Sequence, residues 1–200
     1  MIAIIDYGMG NLRSIQNKLQ RLDADACITS DPLEIEKANK LILPGVGHFA
    51  TGMENLRSRR LIDPIGHKVV DHHTPILGIC LGMQLFSRHS AEGDVPGLGY
   101  IDAETVRLPP NNVKIPHMGW NTLENRAPCV LFDNLPEDAE LYFVHSFHVQ
   151  APKAVIASTT DYGITFASTI HQNNIYGTQF HPEKSHGAGM TILRNFLEKA

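Results

Sequence analysis

Among the residues able to do chemistry, the sharpest group is Gly78-Ile79-Cys80-Leu81-Gly82. An apolar run at 75–79 leads into it and a helical pattern leaves it. A cysteine between two glycines, where a strand meets a helix, is the thiol form of the nucleophile elbow. The turn is tight enough that a side chain at either glycine would crowd neighbouring elements. It projects the cysteine from the strand's C-terminal end, where the helix dipole and free N–H groups favour a thiolate. The same five letters also fit a small buried core residue, a common fate for cysteine. Cys27 and Cys129 lack this setting and read as core or near-core residues.

A thiol nucleophile needs a base, and the base needs an orienting acceptor. His181-Pro182-Glu183 offers both, and it too follows an apolar segment, at 175–180. Alone it would read as a strand-terminal turn with a solvated glutamate; beside a cysteine elbow it becomes a candidate base and its partner. A third feature is Pro44-Gly45-Val46-Gly47, after an apolar segment at 40–43. A glycine-rich turn there can aim backbone N–H groups into the same crevice. With the amide of Leu81 it would make an oxyanion hole. The rival is a phosphate-cradling loop. Neither this turn nor Gly8-Met9-Gly10-Asn11 has the lysine of a P-loop or G-x-G-x-x-G spacing.

These groups must be held by elements. Strands are predicted at 1–6, 25–29, 40–43 and 75–79. Helices are predicted at 12–22, 51–59, 61–72 and 82–89. Leu12, Ile15, Leu19 and Leu22 show the helical spacing, with Asn11 as a cap. Alternating strands and helices imply a parallel, doubly wound sheet. From 93 to 119 glycine and proline are dense, which predicts loop with short strands. Further strands are expected at 140–144, 147–150, 154–160, 164–171 and 175–180, with a hairpin turn at Gln172-Asn173-Asn174. A last helix follows Gly187 and Gly189, with Met190, Leu193, Phe196 and Leu197 on one face. The expected fold class is α/β, a doubly wound, mostly parallel sheet with an antiparallel extension, in one domain over 1–200.

The 200 residues are 42% hydrophobic and 19% charged, which suits a globular chain able to bury a two-sided sheet core. A net charge of -4 argues against a nucleic-acid binder. The longest apolar run, at 1–5, is too short for a membrane span, and no secretory signal is expected at the N-terminus. Three cysteines without C-x-x-C point to a reducing, cytoplasmic setting. The eleven histidines are scattered, without H-E-x-x-H. His72 and His73 are adjacent, so their side chains diverge on a helix and read as a solvated face. No metal or cofactor is expected.

Taken together, the motifs resemble a known family. The segments at 5–11 (IDYGMGN), 43–49 (LPGVGHF), 80–85 (CLGMQL), 116–121 (PHMGWN), 144–146 (VHS) and 179–185 (QFHPEKS) are spread along the chain, and the resemblance they carry covers nearly all of it. They are similar to the glutaminase subunits of imidazole glycerol phosphate synthases, a branch of the triad (class I) glutamine amidotransferases with a flavodoxin-like sheet. The resemblance implies that Cys80 attacks the side-chain amide of glutamine, forms a glutamyl thioester and releases ammonia. His181 would be the general acid/base and Glu183 its orienting carboxylate. Val46 or Gly47, with Leu81, would supply the oxyanion donors. Gln84 and Glu92 would hold the amino-acid head, with backbone from His145, Ser146 and Phe147. Many relatives read S-E-E where this chain has Ser90-Ala91-Glu92, and H-S-Y where it has His145-Ser146-Phe147. The missing hydroxyl is tolerable if that strand binds through its backbone.

The resemblance also implies a partner, a (β/α)8-barrel cyclase subunit that receives the ammonia in histidine biosynthesis, in a heterodimer. Trp120, the only tryptophan, fits a core anchor by residue type. The resemblance moves it to the partner surface with Asn11 and Lys184. A glutaminase of another pathway, a cysteine peptidase or γ-glutamyl hydrolase, and an inactive scaffold are the rival readings. The 116–121 and 5–11 segments argue against the first. The peptidase or hydrolase would act without a partner. The intact Cys80, His181 and Glu183 argue against the inactive scaffold.

Overall fold

The first strand, β1 (Ile2–Ile5), is apolar at every position because both its faces are covered. In the computed structural model, which describes residues 1–110 and 113–200, Ala3 and Ile5 join one apolar core and Ile2 and Ile4 another. The chain continues as α1 (Leu12–Gln20), β2 (Ala26–Thr29), α2 (Pro32–Lys37) and β3 (Lys40–Gly45). Next come α3 (Phe49–Ser58), α4 (Ile62–Gly66), a π-helical turn (His67–Asp71), β4 (Ile76–Cys80) and α5 (Leu81–Gln84). Short strands β5 (His89–Ser90), β6 (Val95–Pro96), β7 (Glu104–Arg107) and β8 (His117–Thr122) follow. The chain then runs through β9 (Glu140–His145), β10 (Phe147–Gln150), β11 (Ile156–Asp161), β12 (Thr165–Gln172) and β13 (Ile175–Thr178), and closes with α6 (His186–Lys199).

The main sheet has seven strands in the order β11-β12-β13-β4-β3-β1-β2. The five strands from β13 to β2 are parallel to one another, and β12 and β11 add an antiparallel edge beside β13. Helices α3, α4 and α5 cover one face through Phe49, Met53, Leu56 and Ile65. Helices α1 and α6 cover the other through Ile15, Leu19, Ile192 and Phe196. Strand order decides where the chemistry sits. β13, β4 and β3 are neighbours, so the segments leaving their C-terminal ends meet at one crevice. The parallel register sets Gly45 beside Cys80. The expected α/β class and antiparallel extension are borne out.

Several element boundaries differ from expectation. The expected helix at 82–89 is only Leu81–Gln84. The carbonyls that would extend it accept bonds from the later loop instead, Leu85 from Leu98, Phe86 from Ile101, and Ser87 from Gly99. The expected helix at 61–72 passes into the π-helical turn. Helix α2 was not expected, although Pro32 at its start and the bond from the Leu33 amide to the Asp31 carboxylate mark it. Asn11 stands at the cap position of α1, but its side chain makes no capping bond; its main-chain carbonyl accepts from the Ile15 amide. β3 runs two residues past 43, and 154–155 form part of a short 3-10 turn before β11. Within the expected 93–119 loop lie β6, β7 and the start of β8; Asn111 and Asn112 lie outside the described residues. The Asn173-Asn174 turn joins β12 to β13 as an antiparallel hairpin.

Candidate active site

Cys80 ends β4 and immediately precedes α5. Its backbone has φ 54° and ψ -108°, a conformation that side-chain-bearing residues rarely adopt and that costs about 1–3 kcal/mol. The turn is closed by near approach on both sides. A Cβ at Gly82 would collide with the Leu43 carbonyl oxygen, and one at Gly78 would stand 2.6 Å from the Phe86 ring. Both glycines are therefore demanded by packing, and the cysteine between them is left strained at the mouth of the crevice.

His181 leaves the end of the neighbouring strand and is fixed by its own backbone. Its amide donates to the Tyr142 carbonyl at 2.8 Å, and its carbonyl accepts the Ser185 hydroxyl at 2.6 Å. Its Nδ1 lies 2.9 Å from Glu183 Oε1. A carboxylate only accepts, so Nδ1 carries the proton and Nε2 faces the reaction. Nε2 makes no conventional hydrogen bond, and the Cys80 thiol lies within its reach. His181 and Glu183 are 1% and 3% exposed. Burial pulls the imidazole pKa down, but the Cys80 thiolate and the Glu183 carboxylate outweigh it and push it up to about 10. This arrangement can hold an imidazolium beside a thiolate and shuttle one proton between sulfur and a leaving group.

One cavity adjoins the thiol. Val46, Gly47 and Leu81 line it on the elbow side, and Gln84 and Glu92 behind them. His145, Ser146 and Phe147 line the opposite wall with Pro116 and Val144. The structure thus brings nine predicted residues around one space: Cys80, the three candidate oxyanion residues and the five candidate substrate contacts. Glu92 Oε2 accepts the Phe49 amide at 2.8 Å, which ties this carboxylate to the start of α3, just after the Pro44–Gly47 turn. The Gln84 amide nitrogen donates to the Phe147 carbonyl at 2.8 Å and to Gln179 Oε1 at 3.0 Å.

Residues 3–200 match the family model for glutamine amidotransferase class-I. The chain belongs to the class I glutamine amidotransferases. It is 52% identical over 202 residues to a protein of Methanococcus maripaludis named imidazole glycerol phosphate synthase subunit HisH 2, with 100% of each chain covered. It is 47% identical to the HisH subunit of Moorella thermoacetica, covering 98% of this chain and 94% of the relative. Among solved structures, a glutamine amidotransferase superposes with a TM-score of 0.76 at 20% identity, over 99% of this chain and 98% of that one. A glutamine amidotransferase of Thermotoga maritima reaches 0.67 at 15% identity, over 98% and 96%. At those identities the structures speak for the fold.

In this amidotransferase, sequence reasoning assigned no side-chain role to four residues. Gln179 donates to the Cys80 sulfur at 3.6 Å while accepting from Gln84. A signal for it existed, because 179 and 181 share one side of an extended chain. His117 and His145 form a buried pair, Nδ1 to Nε2 at 3.0 Å. His145 Nδ1 lies 2.9 Å from the Phe147 carbonyl and so must donate. His145 Nε2 then accepts from His117, whose own Nε2 accepts from the Asn121 amide at 3.4 Å. Burial lowers the pKa of both rings, His117 to about 4 and His145 to about 3, so each is neutral at pH 7. The fourth is the Tyr7 hydroxyl, buried without a partner under Gly45, with its pKa raised by burial and then by the Cys80 charge.

The three candidate partner-surface residues are not all together. Trp120 is 43% exposed, which removes it from the core. Its ring stacks on His186 at 5.0 Å and meets Tyr142 edge-on at 5.7 Å. Lys184 Nζ lies 5.6 Å over the same Tyr142 ring. Asn11 is exposed at the head of α1 and takes no part in this stack. Cys129 is buried and Cys27 half-buried, and all three cysteines are free.

Proposed function

We propose that this chain hydrolyses glutamine to glutamate and ammonia through a cysteinyl thioester and delivers the ammonia to a cyclase subunit. Residues 1–200 then form one amidotransferase domain. The observation that carries this is the buried His181, held by Glu183 on one nitrogen and facing Cys80 with the other, beside the cavity lined by Gln84 and Glu92. Cys80 Sγ attacks the side-chain amide carbon, and the carbonyl electrons move onto oxygen. N–H groups of Leu81 and of Val46 or Gly47 hold that oxyanion. His181 gives its proton to the departing nitrogen, the C–N bond breaks, and ammonia leaves a thioester. Water then attacks with His181 as base, and glutamate departs as the thiol is restored. Glu92 faces the substrate ammonium, Gln84 the amino-acid head, and the backbone at 145–147 its other side.

Ammonia released into water is protonated and ceases to be a nucleophile, so the product needs a sheltered route. Relatives named as synthase subunits support a second chain. In this reading that chain is a (β/α)8-barrel cyclase, which makes imidazole glycerol phosphate and aminoimidazole carboxamide ribonucleotide in histidine biosynthesis. Trp120 and Lys184, and Asn11 at the head of α1, belong to the surface facing it. No cofactor, nucleic acid or membrane enters the scheme. Three free cysteines fit a cytoplasmic setting. Among the described residues no helix is long and apolar enough to cross a membrane.

Brief treatment with an electrophilic glutamine analogue, followed by mass mapping, tests the assignment. Cys80 should be labelled well before Cys27 or Cys129. Preferential labelling of either of those would overturn it.

A further inference from the structure

We propose that His67, His72 and Glu36 form a binding site for a divalent transition-metal ion of the zinc class, away from the thiol site. Sequence reasoning set His72 against its neighbour His73 and found diverging side chains. The structure gives His72 a different partner. The π-helical turn closes with a bond from the His72 amide to the His67 carbonyl at 3.1 Å, and this wider turn brings side chains five residues apart to one side. The two imidazole rings stand 4.3 Å apart, centroid to centroid.

The carboxylate of Glu36, from α2, approaches both rings. His67 Nδ1 is 3.3 Å from one of its oxygens and His72 Nδ1 is 3.8 Å from the other. The shorter gap is a long hydrogen bond and the other lies beyond hydrogen-bond range, the usual span being about 2.7–3.2 Å. Both gaps are close to the spacing of ligands around one ion. Donors about 2.0–2.1 Å from a tetrahedral zinc stand roughly 3.3–3.4 Å from each other. The donor atoms of all three residues lie within 4.8 Å of one another. Two imidazoles and one carboxylate suit zinc, cobalt, nickel or copper, and leave a position for water. A hydrated ion can reach the site, since all three residues are exposed.

The scaffold beneath is already set. The buried Lys68 donates to the Glu36 main-chain carbonyl at 2.9 Å, pinning α2 to the π-helical turn. It binds the carbonyl and leaves both carboxylate oxygens to the histidines. The site stands before the N-terminal end of β4, whereas Cys80 stands at its C-terminal end. An ion there would clip α2 to the turn without entering the thiol chemistry.

Calorimetric titration of the intact chain with zinc chloride alone tests this. One ion per chain should bind, and His67→Ala, His72→Ala and Glu36→Gln should each weaken binding by about tenfold or more, at least as much as loss of a supporting group around a metal site. His73→Ala should leave it unchanged. Because the residues are exposed, circular dichroism should show all four variants folded. A measurement on the unaltered chain guards against a folding artefact: substoichiometric cobalt(II) should broaden the ring signals of His67 and His72 before those of other histidines. Absence of saturable binding would overturn the site. So would full-strength binding in both histidine variants, which would place the ion elsewhere, for instance at the Cys80 thiol.

Discussion

At His181 burial and charge pull against each other. Desolvation favours a neutral ring, and the Cys80 and Glu183 charges reverse that, Cys80 being the larger of the two. Removing the sulfur charge should therefore let burial regain ground. In Cys80→Ser the His181 pKa should fall, read from its ring resonances in a pH titration. An unchanged, raised pKa would mean that Glu183 alone holds the proton. The raised pKa also has a sign for stability. In the wild-type chain the protonated ring stabilises the fold fully below pH 6.5, and this is lost as pH rises through about 10. At this scale the grouping of Cys80, His181 and Glu183 was legible in sequence, because thiol, imidazole and carboxylate are chemically distinctive and stand at or just after strand ends. Gln179 was less so. Nothing in a glutamine's type says that it donates to a thiol; that follows from a contact between residues 99 positions apart.

Elements set how firmly those residues are held. The Pro44–Gly47 turn leaves β3 with Gly47 at φ +125°, where a β-branched residue is badly strained. Gly47→Val should slow glutamine hydrolysis by about a hundred- to a thousandfold, the loss seen when one oxyanion donor is removed from a comparable hydrolase. Normal turnover in a folded variant would move the donor elsewhere. The length of α5 could not be read from sequence, because its stop depends on loop amides from 98 to 101 claiming the carbonyls of 85–87. β8 and β9 carry the His117–His145 pair, which imposes a pH limit of its own. Both rings are neutral when folded and have an ordinary pKa of 6.5 when unfolded. The unfolded chain therefore binds more protons as pH falls below 6.5. Stability should drop from there towards pH 4, by up to about 1.4 kcal/mol per pH unit for each ring. Urea unfolding at pH 7.5 and 5.0 measures this. His117→Phe, which keeps the stacking on Tyr162, should be less stable overall yet lose less on acidification. An equal loss in both chains would refute the assignment.

On the scale of the whole molecule, strand order joins what the sequence keeps apart. Cys80 and His181 meet because β13 pairs with β4 although eight strands are threaded between their positions in the chain. No local pattern contains that pairing; the alternation of strands and helices predicted a parallel sheet but not which strands are neighbours. The same assembly leaves an apolar surface near the segment 116–121. Met118 and Trp120 are both exposed although each has a large apolar side chain. Trp120 is supported from one side by His186 and at its edge by Tyr142, so its loss removes surface stacking and little core. Trp120→Ala should therefore fold normally, checked by circular dichroism, yet weaken the complex with the cyclase subunit by about 2 kcal/mol or more, as expected for a tryptophan at the centre of an interface. Calorimetric titration of one protein into the other measures that loss. Glutamine-dependent product formation should fall with it, while the cyclase supplied with free ammonia should turn over at its usual rate. Unchanged affinity in a folded variant would show that the partner docks on another face, and that the Trp120, Tyr142 and His186 stack serves this chain alone.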